Sequence, residues 1–203
     1  MSNPNPTIIV RQAVPEDVKA ILNIQVAAFT EAGIRRRYPG SIDNPEGFAE
    51  HSTIATFTVA ADAATGEIAA MMQTYRIDHL TETPYKLLTE IPFAEQATVD
   101  SVNLATTMRR DFMGDRPHYY LYVLATHPDL QRRGAAGALL LNIISIADRE
   151  QMPIYLESSS TALSLYKKNG FVENGKTVAT VRAPGEPADG RFSTVAVREP
   201  RAS

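Results

Sequence analysis

The 203-residue sequence contains no cysteine. That excludes disulfides, thiolate zinc sites, iron–sulfur ligation and a cysteine nucleophile. No apolar run approaches the roughly 18 residues needed to span a membrane. Residues 1–6 are polar and rich in Pro and Asn, with nothing resembling the apolar core of a secretion signal. No membrane association and a cytoplasmic location are therefore expected. A surplus of charge of one sign is missing too. Twenty Lys and Arg stand against 23 Asp and Glu, a net charge of −3, which argues against a general nucleic-acid binder. His51, His79 and His118 have no ligand-like spacing with a carboxylate, so no metal is expected. Hydroxyl, carboxylate, histidine and backbone chemistry remain.

What is present is the composition of an ordinary globular protein, 44% hydrophobic and 21% charged. The length sits at the top of the usual range for one domain. Thr7 to Ala13 is β-branched and strand-like. Pro15 suits the first turn of a helix, and Val18, Ile21, Leu22, Val26 and Phe29 recur at helical spacing after it. Arg35-Arg36-Arg37 reads as a solvated helix end, and a short helix is expected after Asn44-Pro45. Thr56 to Ala61 and Glu67 to Arg76 read as strands around a turn at Ala63 to Gly66.

Residues 78–117 contain Pro84, Pro92 and Pro117. A structureless loop of that length is improbable in a compact domain, so a helix is expected around Glu95 to Phe112. His118 to Thr126 reads as a buried strand ended by His127-Pro128, and Ala135 to Glu150 as a helix buried against a sheet. Pro153 to Glu157 is a further strand. Thr161 is the expected cap of a helix that stops at Asn169-Gly170, and Phe171 to Val181 and Arg191 to Arg198 close the chain as strands. The order is βα(α)ββ, an insertion, then βαβαββ. It describes an α/β (α+β) fold in one domain over residues 1–203. Its mixed sheet has about seven strands, with loose tails at 1–6 and 200–203 and an inserted helical segment at 78–117.

The feature that carries chemistry follows Pro128. Gln131-Arg132-Arg133-Gly134-Ala135-Ala136-Gly137 leads straight into the long apolar helix. The first N–H groups of a helix lack internal partners and the dipole is positive there, so this recipe of strand, small-residue turn and helix suits phosphate. Arg132 and Arg133 add charge. A Walker loop is excluded because Gly137 precedes Ala138-Leu139. A dinucleotide fingerprint is excluded because Ala136 and Leu139 stand where glycines are required. A plain packing turn is the alternative at this point.

The segment His127 to Ala136 resembles the acyl-CoA signature of the GNAT superfamily of acetyl-CoA-dependent N-acyltransferases. The pattern Gln/Arg-x-x-Gly-x-Gly/Ala is met by Gln131, Gly134 and Ala136. Ala162-Leu163-Ser164-Leu165-Tyr166-Lys167-Lys168-Asn169-Gly170-Phe171 resembles the family's Ala-x-x-Leu-Tyr-x-x-x-Gly-Phe helix. The two matches fall in the family's order with a helix and a strand between them. The detailed resemblance covers residues 118–175.

The resemblance implies a GNAT-like acyltransferase fold and the following roles. The backbone amides of Arg132, Arg133, Gly134, Ala135, Ala136 and Gly137 bind the CoA pyrophosphate, and Gln131 orders the turn. Leu124, Ala125 and Thr126 pair with the pantetheine arm. Ser159 stands where the family often has an asparagine that bonds the arm. Tyr166, near the sulfur, protonates the leaving thiolate after an amine attacks the thioester carbonyl. A phenol with a pKa of about 10 suits that step. Glu157, near where the family's strands diverge, is the general-base choice, and a carboxylate tied to backbone donors is the alternative. His127 reads as a strand-end contact, and Tyr119, Tyr120 and Tyr122 as core. The implied activity is direct transfer of the acetyl group of acetyl-CoA to a primary amine, expected on a small molecule, by a monomer or homodimer without a metal. The alternatives are a catalytically silent acyl-CoA-binding module, an acetyltransferase acting on a protein or peptide amine, and a plain nucleotide-binding domain.

Overall fold

Proline and glycine punctuate this chain, and its elements stop where they stand. In the computed structural model the described residues are 7–29, 52–78, 96–179 and 192–201. The expectations for 35–37 and for a helix after Pro45 lie outside them. The strands are β1 (Ile8–Gln12), β2 (Thr56–Asp62), β3 (Ile68–Ile77), β4 (His118–Thr126), β5 (Ile154–Ser159), β6 (Val172–Ala179) and β7 (Phe192–Arg198). The helices are α1 (Val18–Ala28), α2 (Gln96–Met113), α3 (Ala135–Glu150) and α4 (Ser160–Lys168). The sheet is mixed, in the order β1-β2-β3-β4-β5-β7-β6, and the fold is α/β as its element order implies. No described helix is long and apolar enough to cross a membrane.

The chain divides into two compact units, one of Met1–Thr74 with Leu121–Ser145, the other of Tyr75–Tyr120 with Ile146–Ser203. In the first, β1, β2 and β3 form an antiparallel meander, with Val10 opposite Ala60 and Val59 opposite Met71. The β2–β3 turn is held by Asp62. Its carboxylate accepts from the Ala64 and Thr65 N–H groups, and Gly66 takes φ +74°. Phe57, Val59, Ala60, Met71, Met72, Val123, Leu139, Leu140 and Ile143 are buried. Asp17 accepts a bidentate pair from Arg11 and the Val14 N–H, which fixes the entry to α1. The helix buries Val18, Ile21, Ile24 and Gln25. The expected stripe through Val26 is therefore corrected, for Val26 is 49% exposed and a glutamine takes the core position.

In the second unit β4 pairs in parallel with β5 through Tyr119↔Ile154 and Tyr120↔Tyr155. Both strands run on beyond that register. β5 pairs antiparallel with β7 from Ile154↔Arg198 to Ser159↔Ser193, and β7 with β6. The pairing with β7 carries β5 two residues past its expected end at Glu157. The helix α4 starts at Ser160, with Ser159 at its N-cap and no capping side-chain bond. Thr161 is thus inside the helix rather than its cap. Gly170 closes it at φ +88°. Arg198, 3% exposed, donates two bonds to Asp148 and one to the Asn169 carbonyl, tying β7 to the ends of α3 and α4.

Candidate active site

The first unit holds the whole expected cofactor turn. β4 ends at Thr126, and the His127 N–H donates to the Ala69 carbonyl of β3. The His127 ring nitrogen Nδ1 accepts from the Asp129 N–H at 3.3 Å, so this side chain caps the short 3-10 turn Pro128–Leu130. Gln131 then ends that turn, exposed, its N–H directed at the Pro128 carbonyl. Next the backbone enters the left-handed region twice, at Arg132 (φ +62°) and Gly134 (φ +88°). Arginine pays a steric cost there that glycine does not. Left-handed residues alternating with ordinary ones turn successive N–H groups toward one concavity, a geometry that receives anions.

Behind this concavity α3 begins. Its first i to i+4 bond runs from the Ala138 N–H to the Gly134 carbonyl. The N–H groups of Ala135, Ala136 and Gly137 lie ahead of that bond, at the positive end of the helix. A Cβ placed on Gly134 or Gly137 would meet nothing within 4 Å, so the space over the turn is open. Arg133 donates to the Asp129 carbonyl. Arg132 is exposed, with no ion pair among the described residues. Leu124 and Thr126 are half-buried and Ala125 is 4% exposed. The leading N–H groups of α3 and the exposed Arg132 are donors and positive charge of the kind that a diphosphate requires.

The second unit holds the expected catalytic side chains. Glu157 is half-buried in β5 opposite Val195 of β7. Ser159 is exposed at the end of the strand, and its carbonyl accepts from the Ser158 hydroxyl at 2.8 Å. Tyr166 is 6% exposed on α4, its ring edge-on to Phe171 at 5.5 Å between centroids. Burial pushes its phenol up to about 12. The expectation of an ordinary phenol near 10 is corrected by this desolvation. At neutral pH the group is a fully protonated donor. Its hydroxyl makes no hydrogen bond among the described residues.

Around β4 and β5 the same unit assembles an aromatic cluster. Tyr75 stacks with Tyr120 at 6.0 Å, and Tyr155 meets Tyr120, Phe112 and His118 at 5.8, 6.2 and 6.3 Å. The guanidinium of Arg109, 2% exposed, lies 4.1 Å above the Tyr120 ring, an arrangement that stabilises a buried cation. His118 is fully buried and shares a 2.7 Å hydrogen bond between Nδ1 and the Arg116 carbonyl. Desolvation first, with the charges of Arg109 and Arg116 behind it, lowers its pKa to about 4, so the ring is neutral and Nδ1–H donates.

Sequence reasoning passed over Arg109 and Gln25. The usable signal for Arg109 was its place in the helical series Thr106, Arg109, Met113, all buried. No group of three or more potential ligands gathers for a metal among the described residues.

Residues 101–181 match the family model for the acetyltransferase (GNAT) domain. The chain has the GNAT acetyltransferase fold. Among solved structures, one described as histone acetyltransferase HPA2 and related acetyltransferase, from Corynebacterium glutamicum, is 24% identical with a TM-score of 0.58, covering 98% of this chain and 99% of that one. A mosquito arylalkylamine N-acetyltransferase like 5b is 18% identical with a TM-score of 0.67, covering 95% and 100%. The Thermoplasma acidophilum PaiA N-acetyltransferase, solved in complex with coenzyme A, is 15% identical with a TM-score of 0.55, covering 95% and 99%. No curated protein matches the sequence.

Proposed function

We propose that this protein is an N-acetyltransferase that moves the acetyl group of acetyl-CoA directly to a primary amine on a small molecule, as one domain over residues 1–203 in the cytoplasm. The observation that carries the proposal is the open turn at the start of α3. Its two left-handed residues, the leading N–H groups of the helix and the exposed Arg132 suit a pyrophosphate. The coenzyme A complex of a protein with the same fold supports that ligand over other diphosphates.

The roles divide between the two units. In the first, the N–H groups of Arg132 to Gly137 receive the pyrophosphate, Gln131 ends the preceding turn, and Leu124, Ala125 and Thr126 offer backbone groups to the amides of the arm. The β4–β5 register of two pairs, with β4 running six residues further, supports that use of the strand edge. In the second, Tyr166 gives its proton to the departing thiolate. Glu157 receives the proton that the amine loses, directly or through water, and Ser159 offers a hydroxyl to the arm. Acetyl-CoA supplies the activated thioester. With no cysteine in the chain an acyl-cysteine enzyme is excluded and transfer is direct.

Burial of Tyr166 sets a condition on this chemistry. A phenol held at about 12 is a weaker acid than a free one by about 3 kcal/mol. It therefore gives up its proton only as the carbon–sulfur bond breaks and a strong base forms beside it. The test is thiol release from acetyl-CoA over a panel of primary amines. Amine-dependent release of free CoA is expected. Tight CoA binding without turnover on any amine would replace the enzyme by a binding module.

A further inference from the structure

The second unit carries a cleft that no step of the proposed reaction uses. It lies where β3 ends, β4 starts, α3 ends and β5 starts, has a volume of about 420 Å³ and opens to solvent. A cleft of that size takes a small molecule. Its charged lining is two guanidinium groups, Arg76 and Arg116, and two carboxylates, Asp78 and Glu150. Pro117, Met152 and Pro153 add apolar surface.

The charged groups are held in place and still have bonds to give. Arg76 donates from Nε to Asp78 at 2.9 Å, and from Nη1 to Glu150 and to the Tyr119 hydroxyl. The hydroxyl of buried Tyr119 donates to the same Glu150 oxygen at 2.9 Å. The Nη2 of Arg76 has no hydrogen bond among the described residues, and the side chain of Arg116 uses only Nη2, on Glu199. Ion pairs as exposed as these contribute little to stability, so a ligand can share their groups at small cost.

The backbone adds acceptors. Pro153 has no N–H to give to the Arg149 carbonyl, and among the described residues no donor reaches the carbonyls of Arg149 or Glu150. These are the negative end of α3. Gln151 follows in the left-handed region at φ +54°, with its Nε2 donating to the Asp148 and Arg201 carbonyls. A glutamine pays a steric cost there that glycine does not, and strain of that kind gathers at binding sites.

We infer that this cleft binds a free α-amino acid with an apolar side chain, its carboxylate on the Arg76 and Arg116 guanidinium groups and its ammonium on Glu150 and the carbonyl end of α3. The four lining charges balance, so a ligand of one sign meets as much like charge as opposite charge. A molecule carrying both signs a few bonds apart satisfies both pairs, and the apolar lining takes its side chain. None of these residues has a part in the CoA or catalytic roles given above, so the site stands apart from the acetyltransferase reading.

Calorimetric titration of the full chain with L-leucine tests it, without acetyl-CoA present. Isoamylamine, which lacks the carboxylate, and N-acetyl-L-leucine, which lacks the ammonium, are titrated beside it. L-Leucine is expected to bind saturably, and each analogue at least about tenfold more weakly. Arg116→Gln removes a side chain held only by an exposed ion pair. It is expected to weaken L-leucine about tenfold with the melting temperature unchanged. Glu150→Gln, which keeps an oxygen for the Tyr119 hydroxyl, is expected to weaken it by a similar factor. Absence of saturable binding, or equal binding of either analogue, overturns the inference. So does L-leucine binding that neither variant weakens, which would put the amino acid at another site, such as that of the amine acceptor.

Discussion

The turn at Gly134 and the helix around Tyr166 solve opposite problems in the same chain. The turn is exposed, made of backbone donors and small residues, and its one strained side chain points a cation outward. Tyr166 is buried, edge-on to a phenylalanine, and its only polar atom is a hydroxyl. An anion with several negative charges is held best where donors are many and preorganised, with water able to leave. A proton donor must keep its proton until the moment of use, and burial does that by disfavouring the phenolate. The contrast teaches that, in the proposed mechanism, exposure and burial each suit the charge that the group would have to meet.

The largest effect expected is on the turn. Gly134→Glu forces a side chain into a φ of +88° and sets a carboxylate where the phosphates would lie. CoA affinity should fall by about a thousandfold, measured as loss of the CoA-dependent rise in melting temperature, with the ligand-free fold itself less stable by about 1–2 kcal/mol through the left-handed strain. Tyr166→Phe should do the reverse. CoA binding stays, and single-turnover acetyl transfer falls by about a few hundredfold. Because the phenol is pushed up to about 12, the parent's kcat/KM should show no loss between pH 8 and 10.5 that Tyr166→Phe abolishes. Such a loss would mean that Tyr166 titrates in the ordinary range.

His118 extends the comparison to stability. Its folded pKa is lowered to about 4 against an ordinary 6.5. Above 6.5 both folded and unfolded chains carry it neutral. Below 6.5 the unfolded chain takes a proton that the folded chain refuses, so stability falls as pH drops toward 4, by about 3 kcal/mol in all. Urea unfolding of His118→Asn, which keeps a donor for the Arg116 carbonyl, should show a shallower loss over that window. The smallest effect concerns the strained cation. Arg132→Gly should relieve the left-handed strain and gain about 1 kcal/mol of stability, while CoA affinity weakens severalfold through the lost charge. A stability loss would show that the strain reading of φ +62° is wrong.

Much of this was legible in the sequence where punctuation was strong. β4 and α3 begin and end where Pro117, Pro128, Gly134 and Pro153 require, and the observed bounds match the expected ones to the residue. β5 ran longer because pairing with β7 decides where it ends, and its Ser158 and Ser159 have no local strand preference to announce it. Thr161 misled for the related reason that Ser159 and Ser160 offer the same chemistry two residues and one residue earlier. Gln25 was illegible, and Arg109 readable only from its helical spacing, because a polar residue in an apolar stripe reads as an interruption until the fold shows it buried. The left-handed backbone at Arg132 leaves no mark in its side chain at all. The turn was legible as a pattern of residue types, while its shape was not.

The most direct test of the account is a calorimetric titration of the unmodified protein with CoA, ATP and NAD in parallel. The account predicts saturable one-to-one binding of CoA, with ATP and NAD at least about a hundredfold weaker because neither carries an amide arm to pair with a strand edge. Equal binding of all three, or none of CoA, would contradict it.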